Sequence, residues 1–197
     1  MIDSVFIYGS FSEGMVHFGM VANYIKSRTT AEAKGSVYRL EVGFPVFILD
    51  GQTSVPGTVI ELNECEFLLK ILDEYHGYSP LDPKRSLHIR HEIKALLSDG
   101  REVATYCYCL NPAKLPKSAI LLGDGDWPKA LIEQPPMVTT LTERHICYIK
   151  KLAESNRKDT IVYPLDVCRE LERMQIIVDK GRRFSLTNLG KEICRFV

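Results

Sequence analysis

The sequence predicts an α+β fold: a small mixed β-barrel with flanking helices, followed by a small module of helices and one short β-hairpin. Segments rich in β-branched and aromatic residues, separated by Gly and Pro, dominate the first 110 residues. Two segments with helical spacing interrupt them, which favours a curled mixed sheet with helices on its flank. A proline-rich stretch follows, after which helical patterns predominate. We therefore expect a barrel domain over residues 1–128, a linker over 129–139 and a second module over 140–197.

The first 62 residues contain four predicted strands and one predicted helix. The β-branched and aromatic residues at 4–8 predict a strand that ends in the Gly9-Ser10 turn. Apolar residues at helical spacing then predict a helix over residues 12–27. Three further strand-like segments follow, separated by Gly and Pro: residues 36–40, 45–49 and 57–62.

A second helix and a β-hairpin complete the predicted barrel domain. Asn63 is expected to cap a helix over residues 64–75, where apolar side chains recur at helical spacing. Two strands follow at residues 86–97 and 101–110. The Asp99-Gly100 sequence between them is a strong hairpin signal, so these two strands are expected to pair with each other.

Acidic residues are in excess up to the end of a proline-rich segment, and basic residues are in excess after it. Residues 111–139 contain five prolines and are predicted to form an extended connector without a core of its own. The whole chain has 25 Lys and Arg against 25 Asp and Glu, which excludes a generally polybasic nucleic-acid binder and an acidic disordered chain. Residues 1–139 carry 13 basic and 17 acidic side chains, however, and residues 140–197 carry 12 and 8. This division indicates two modules, of which the second is basic.

The sequence contains no membrane or export signal, and its cysteines fit a reducing compartment. No apolar segment approaches the roughly 20 residues that cross a bilayer, and the first residues lack the basic and apolar regions of a signal peptide. We therefore expect a cytoplasmic protein with reduced thiols. Cys107 and Cys109 are two positions apart on a predicted strand. We therefore expect both side chains to face the same side, as small buried hydrophobes. No metal or other cofactor is expected.

Four blocks of sequence occur in an order and spacing typical of one family. They are VFIYGSF (5–11), GSVYRL (35–40) with GFP (43–45), VPGTV (55–59) and LDEYHGY (72–78). Through these blocks, residues 4–128 resemble the γ-glutamylcyclotransferase-like (AIG2-like) family. The resemblance implies a small mixed β-barrel that acts on γ-glutamyl amines. In that reaction the glutamyl group closes on its own α-amine and releases 5-oxoproline and a free amine.

The resemblance also implies where the substrate binds. In the family, the turn after the first strand holds the substrate through backbone groups, which are here those of Tyr8, Gly9, Ser10 and Phe11. A glycine turn exposes N–H groups that can hold a carboxylate or a polarised carbonyl, because no side chain blocks the approach.

The reactive position departs from the family pattern. The family's general acid/base is a glutamate directly before a glycine, and here that position holds His76. Three hypotheses stay open: His76 fills a cavity in an inactive descendant, serves as a substitute acid/base, or lines a site that binds a ligand without turnover. Histidine titrates near neutral pH but cannot supply the negative charge that attracts an ammonium group. Glu74 and Glu92 are the alternative carboxylates, although each is more simply a solvated charge.

Two more residues are candidates for the substrate site. His88 stands where family members often carry a tyrosine, and strand alternation places it on the same face as Arg90. Tyr108 matches a late-strand tyrosine of the family and is predicted to offer a hydrogen bond to the pocket, the alternative being an ordinary barrel aromatic. Two histidines without a third ligand do not indicate a metal site.

The C-terminal module is similar to a winged-helix domain. Helical patterns begin at Thr142 and cover residues 165–174, and a basic hairpin precedes a last helix over 187–196. DNA binding would place residues 165–174 in the major groove. It would also bring to phosphates the basic side chains of the hairpin, Lys180, Arg182 and Arg183. Because a helix-turn-helix pair needs more residues than this segment offers, we expect a homodimerisation or lid module, with DNA binding as the alternative.

The sequence thus predicts a γ-glutamylcyclotransferase-like protein that acts on or binds a small γ-glutamyl or amino-acid-like ligand, with His76 at the reactive position. The alternative is a catalytically inactive ligand-binding or regulatory protein. In that case the C-terminal module would mediate dimerisation or contact DNA or a partner.

Overall fold

A computed structural model describes residues 2–155, 164–181, 183–194 and 197. The chain divides into two compact units, one of Met1–Leu40 and Phe44–Glu133, the other of Glu41–Gly43 and Gln134–Val197. Among the described residues, no helix is both long and apolar enough to cross a membrane. Two predicted features, the phosphate contact of Arg182 and the helix end at Phe196, lie outside the described residues.

The first unit contains a closed five-stranded mixed β-barrel. Its strands are β1 (Ser4–Ile7), β2 (Ile25–Arg39), β3 (Pro45–Leu62), β4 (His88–Leu97) and β5 (Glu102–Leu110). They pair in the order β3-β1-β5-β4-β2, and β2 closes the barrel by pairing with β3. β1 runs parallel to β5, whereas the other neighbouring pairs are antiparallel. This architecture confirms the predicted α+β class and the mixed β-barrel with flanking helices.

The predicted helix over residues 12–27 is wrong for most of its length. Gly14 has a φ of +79°, a left-handed conformation that a right-handed helix does not contain. Only one turn, α1 (Gly19–Ala22), is helical, and β2 already begins at Ile25. The apolar spacing that suggested a helix therefore belongs to successive turns, which bury Val21 in the core.

The ladder between β2 and β3 is longer than the sequence predicts. The two predicted strands at 45–49 and 57–62 are one strand, because residues 53–57 also pair with β2. The register shifts between Ile25 and Ser27 and again between Gly35 and Ser36, where the partner residue in β3 changes from Thr53 to Ile48.

Helix α2 (Cys65–Tyr75) packs on the outside of the barrel. Its N-cap is Glu64 and no side chain caps it, so the predicted cap by Asn63 is wrong. The helix buries three leucines in a cluster with residues of β1, β3 and β5: Leu68, Leu69, Leu72, Val5, Ile7, Ile60 and Tyr108. Because this packing fixes the C-terminal end of α2, it also fixes the position of the residues that follow.

The predicted extended connector over residues 111–139 contains regular structure, which corrects that prediction. β6 (Ile120–Leu122) adds to the free edge of β2. Helix α3 (Trp127–Glu133) crosses the predicted domain boundary at residue 128 and buries the indole of Trp127. The guanidinium of Arg39 lies 5.4 Å from the centre of that indole, so this segment contributes to the core of the first unit.

The barrel interior is apolar and includes two thiols. Cys107 and Cys109 are free and buried there, which confirms the prediction that they face one side of a strand as small hydrophobes. Burial raises the pKa of the Cys107 thiol well above its usual value. The interior also contains residues from the other four strands: Phe6, Ala31, Ala33, Phe47, Val55, Val59, Ile93 and Ala95.

In the part of the second unit that the structure describes, three α-helices and a hairpin lie where the sequence predicts them. These are α4 (Glu143–Glu154), α5 (Leu165–Arg173), the antiparallel strands β7 (Ile177–Asp179) and β8 (Phe184–Leu186), and α6 (Asn188–Ile193). A capping box formed by the residue before α4 and His145 begins that helix. Nε2 of His145 lies 2.8 Å from a carboxylate oxygen of Glu170, which joins α4 to α5. The likeness to a winged helix stays a prediction.

Candidate functional site

The turn after β1 is a short 3-10 helix over Gly9–Phe11. Gly9 has a φ of +65°, and a Cβ atom at this position would overlap the ring of Pro45, so only glycine fits. The N–H groups at the start of a helix, here those of Gly9 and Ser10, have no acceptor within it. A turn with a left-handed glycine therefore lies at the end of β1, where the sequence predicts it.

His76 follows directly after α2 and lies against this turn. Its backbone N–H donates to the carbonyl of Leu72 over 2.9 Å, which continues the last turn of the helix. The centre of its imidazole lies 5.4 Å from the ring centre of Phe11 and 4.9 Å from that of His88. It stacks on Tyr108 with 4.3 Å between ring centres and 13° between ring planes. The structure thus brings together the predicted site residues from four separate segments.

His88 links the start of β4 to the end of α2. Its backbone N–H donates to the carbonyl oxygen of His76 over 3.3 Å, and its Nδ1 lies 3.0 Å from the same oxygen. Because a carbonyl only accepts, Nδ1 carries a proton, and Nε2 of the neutral ring is an acceptor. Burial lowers the pKa of His88, which favours this neutral form.

The hydroxyl of Tyr108 forms a hydrogen bond within the protein, whereas its ring lies against His76. The hydroxyl donates to Oδ1 of Asp73 over 2.6 Å. One guanidinium nitrogen of Arg90 in turn donates to both oxygens of Asp73, at 3.0 and 2.9 Å. Burial and the Asp73 carboxylate raise the pKa of Tyr108. The network therefore fixes the ring on which His76 stacks, whereas the predicted hydrogen bond from Tyr108 to a ligand would first have to replace Asp73.

Tyr8 contributes its backbone to the turn and its side chain to the barrel interior. Its hydroxyl donates to the carbonyl of Tyr108 over 3.3 Å and accepts from the N–H of Phe47 over 2.9 Å. Burial raises the pKa of Tyr8 well above its usual value. Because both bonds are made within the barrel, the hydroxyl holds β1, β3 and β5 together.

The imidazole of His76 is held in its neutral form. Burial is the largest cause that lowers its pKa well below 6.5, and the nearby rings of His88 and His17 lower it further. Its Nδ1 is buried and has no hydrogen-bond partner among the described residues. A neutral ring can accept or donate one hydrogen bond at each nitrogen, but it exerts no charge attraction on an ammonium group.

Neither alternative carboxylate belongs to the arrangement around His76. Glu74 and Glu92 are both exposed, as expected for solvated charges. Asp73 lies closer to the site, but Arg90 and Tyr108 already occupy both of its oxygens. In the described part of the chain, no group of three or more His, Cys, Asp or Glu side chains could hold a metal ion.

Two aromatic residues that the sequence did not single out complete the site. His17 has its ring centre 5.5 Å from that of Phe11, and its backbone N–H donates to the carbonyl of Ser10 over 2.9 Å. Tyr75 places its ring 5.1 Å from both His17 and His76. His17 lies in the segment that the sequence predicts to be a helix, so it was not recognised as a site residue. Its short distance in sequence from the turn at residues 9–11 is the signal that could have identified it.

Similarity to one solved structure, YkqA, shows the fold. YkqA from Bacillus subtilis is similar with a TM-score of 0.51 and 17% identity over 68% of this chain and 42% of that chain, so this chain spans less than half the length of YkqA. An AIG2-like protein from Mus musculus has a TM-score of 0.43 and 18% identity over 59% of this chain and 80% of its own. The solution structure of At3g28950.1 from Arabidopsis thaliana has a TM-score of 0.47 and 18% identity over 82% of this chain and 92% of its own.

Comparison of the sequence identifies a family, although it finds no matching curated protein. No curated protein matches this chain. The family model described as gamma-glutamyl cyclotransferase, AIG2-like, matches residues 5–129, which is more than half of the chain and includes the turn at Gly9 as well as His76. The chain therefore belongs to the γ-glutamyl cyclotransferase, AIG2-like family.

Proposed function

We propose that the barrel binds a γ-glutamyl amine or a similar amino-acid-like molecule beside His76, and that it does not convert this ligand to 5-oxoproline at a rate typical of an enzyme. The observation that carries the proposal is the environment of His76. A neutral imidazole, stacked on Tyr108 and with one buried nitrogen unpartnered, occupies the position where the resemblance implies the family's glutamate.

The chemistry of the family's reaction explains why this replacement matters. The α-amine attacks the γ-carbonyl carbon, and the bond from that carbon to the leaving amine breaks. The α-nitrogen starts as an ammonium group and loses two protons to become the lactam N–H, and the departing nitrogen takes up two protons and leaves as an ammonium group. A positioned acid/base contributes about 100- to 10,000-fold to such a step. Because burial lowers the pKa of His76, its imidazole is a weaker base than free imidazole. It also lacks the charge with which a carboxylate would hold the ammonium group.

The remaining features favour binding. The turn offers the N–H groups of Gly9 and Ser10 to a carboxylate or carbonyl oxygen. Phe11 and Tyr75 provide apolar surfaces with 5.2 Å between their ring centres in an edge-to-face arrangement. A site with backbone donors, aromatic walls and no free carboxylate among the residues just described suits an uncharged or anionic part of a ligand.

The test measures binding and turnover in the same full-length proteins. Wild type, His76→Glu and the matched neutral variant His76→Gln are titrated calorimetrically with a panel of γ-glutamyl amines, and 5-oxoproline release is measured with each. We expect wild type to bind a member of the panel without turnover above the uncatalysed rate. We expect His76→Glu, but not His76→Gln, to gain turnover.

Two results would contradict the proposal. Turnover by wild type that His76→Ala abolishes would make His76 a working acid/base. Absence of binding by wild type across the panel would remove γ-glutamyl amines as ligands.

A further inference from the structure

Two buried imidazole nitrogens near the turn have no hydrogen-bond partner among the residues that the structure describes. They are Nδ1 of His76 and Nε2 of His17. Buried polar atoms in folded proteins are nearly always satisfied by protein, water or ligand, since an unmade hydrogen bond is costly. Two such atoms in one cluster therefore indicate that a polar group belongs beside them.

The two imidazoles have the same aromatic neighbours. The ring centre of Phe11 lies 5.5 Å from His17 and 5.4 Å from His76. The ring centre of Tyr75 lies 5.1 Å from each. His17 is also tied to the predicted substrate turn, because its backbone N–H donates to the carbonyl of Ser10. Both nitrogens thus belong to the same part of the first unit as the turn.

We propose that His17 is a ligand-binding residue, and that Nε2 of His17 and Nδ1 of His76 together recognise an amide group of the ligand. A neutral imidazole has one N–H donor and one acceptor nitrogen, so one ring can accept from the amide N–H while the other donates to the amide carbonyl. The γ-amide of a γ-glutamyl amine has this pair of groups, whereas an ester has only the carbonyl. The inference rests on the proposed function and adds to it the residue that distinguishes amides from esters.

Tyr75 lies beside both imidazoles. It is the last residue of α2 and is 39% exposed, and its ring lies edge-on or nearly edge-on to His17, His76 and Phe11. The proposed binding requires this exposed side chain to rotate away from the two imidazoles while the backbone of α2 stays in place. The ligand amide then takes the place of the tyrosine ring.

The experiment follows the imidazole nitrogens of the full-length wild-type chain by ¹⁵N NMR. The probe is γ-glutamyl ethylamide, and the control ligand is the γ-ethyl ester of glutamate, which lacks the amide N–H. We expect the amide to shift the signals of Nε2 of His17 and Nδ1 of His76 with one common dissociation constant. His91, whose imidazole is not among the rings in contact with His17 or His76, should not shift. The ester should bind about three- to tenfold more weakly.

A pair of variants supplies a second measurement. His17→Phe keeps an aromatic ring against Phe11 and Tyr75 but has no ring nitrogen, and it should lose most of the preference for amide over ester. His91→Gln should keep that preference. If wild type binds the amide but the signals of His17 and His76 stay in place, or if His17→Phe keeps the preference, this inference is wrong and the proposed function stands. If wild type does not bind γ-glutamyl ethylamide, the member of the γ-glutamyl amine panel that it does bind replaces it as the probe, and if it binds no member of the panel, both are wrong.

Discussion

The backbone of Gly9 packs directly against the ring of Pro45, so that a Cβ atom on Gly9 would overlap the proline ring. Gly9 belongs to the first sequence block typical of the family, and Pro45 ends the second. The contact brings these two blocks together in the fold: the left-handed turn at Gly9, with a φ of +65°, packs on the first residue of β3.

Replacement of Gly9 by alanine should therefore destabilise the first unit more than a left-handed conformation alone would. Gly14 is the matched control, since its φ is +79° and no atom lies within 4 Å of the position of its missing Cβ. Gly14→Ala should cost about 1 to 2 kcal/mol for the left-handed conformation. Gly9→Ala should cost about 1 to 3 kcal/mol more, because the side chain also overpacks.

Urea unfolding measures this difference through the fluorescence of the single tryptophan, Trp127, which lies in the first unit. Equal unfolding free energies for the two variants would show that Pro45 moves aside at no cost.

The extent to which the fold could be predicted from sequence depends on the range of the interactions. The strand before Gly9 and the hairpin around Gly100 follow from local signals, namely β-branched residues and a turn sequence. The first part of β2 does not, because the charged side chains of residues 25–34 are exposed and the buried Ala31 and Ala33 give a weak apolar signal. This part is a strand because it pairs with residues 54–62 of β3 and with β4, none of which is near it in the sequence.

The candidate site likewise contains residues that the sequence identified and residues that only the folded structure reveals. The resemblance identified His76, His88 and Tyr108, and the structure brings them together. It did not identify Asp73 as the partner of Tyr108, since the hydrogen bond joins two residues 35 positions apart. His17 was missed because the turns after Gly14 have apolar residues at helical spacing.

Asp73 should be important for the stability of the first unit. Its carboxylate pairs with the half-buried guanidinium of Arg90, whose carbon lies 5.4 Å from the ring centre of Tyr78 and 5.1 Å from that of Tyr106. Asp73→Asn removes the negative charge and should lower the unfolding free energy by about 1 to 3 kcal/mol in urea titrations.

The control for this prediction is Asp99→Asn, which removes the charge from an exposed ion pair with Arg101 and should cause no measurable change. Equal effects of the two substitutions would mean that burial adds nothing to the Asp73–Arg90 pair.

Acid should destabilise the first unit through His76. The folded state keeps this imidazole neutral well below pH 6.5, whereas the unfolded chain protonates it near that pH. As the pH falls below 6.5, the unfolded state binds the additional proton, so the unfolding free energy falls until the folded pKa is reached. His76 alone contributes a slope of up to about 1.4 kcal/mol per pH unit in this range.

His76→Phe keeps the ring on Tyr108 and should have a shallower acid slope than wild type in urea titrations from pH 7.5 to 5. The two slopes should converge as the pH approaches 7.5, because the imidazole is then largely neutral in the folded and in the unfolded protein, and this end of the range is the internal control. Parallel curves over the whole range would show that His76 titrates normally in the folded protein.

Helix α3 should stabilise the barrel although it lies in a segment that the sequence predicts to be an extended connector. Trp127 is 3% exposed beside the guanidinium of Arg39, one nitrogen of which donates to the carbonyl of Ala130 over 3.4 Å. Trp127→Ala should lower the unfolding free energy by about 3 to 5 kcal/mol, because it leaves a cavity and removes the ring under the cation. Ile132→Ala, on the same helix but 83% exposed, should change it by less than about 0.5 kcal/mol. Circular dichroism measures both, since the first variant has no tryptophan, and a Trp127→Ala protein as stable as Ile132→Ala would remove α3 from the core of the first unit.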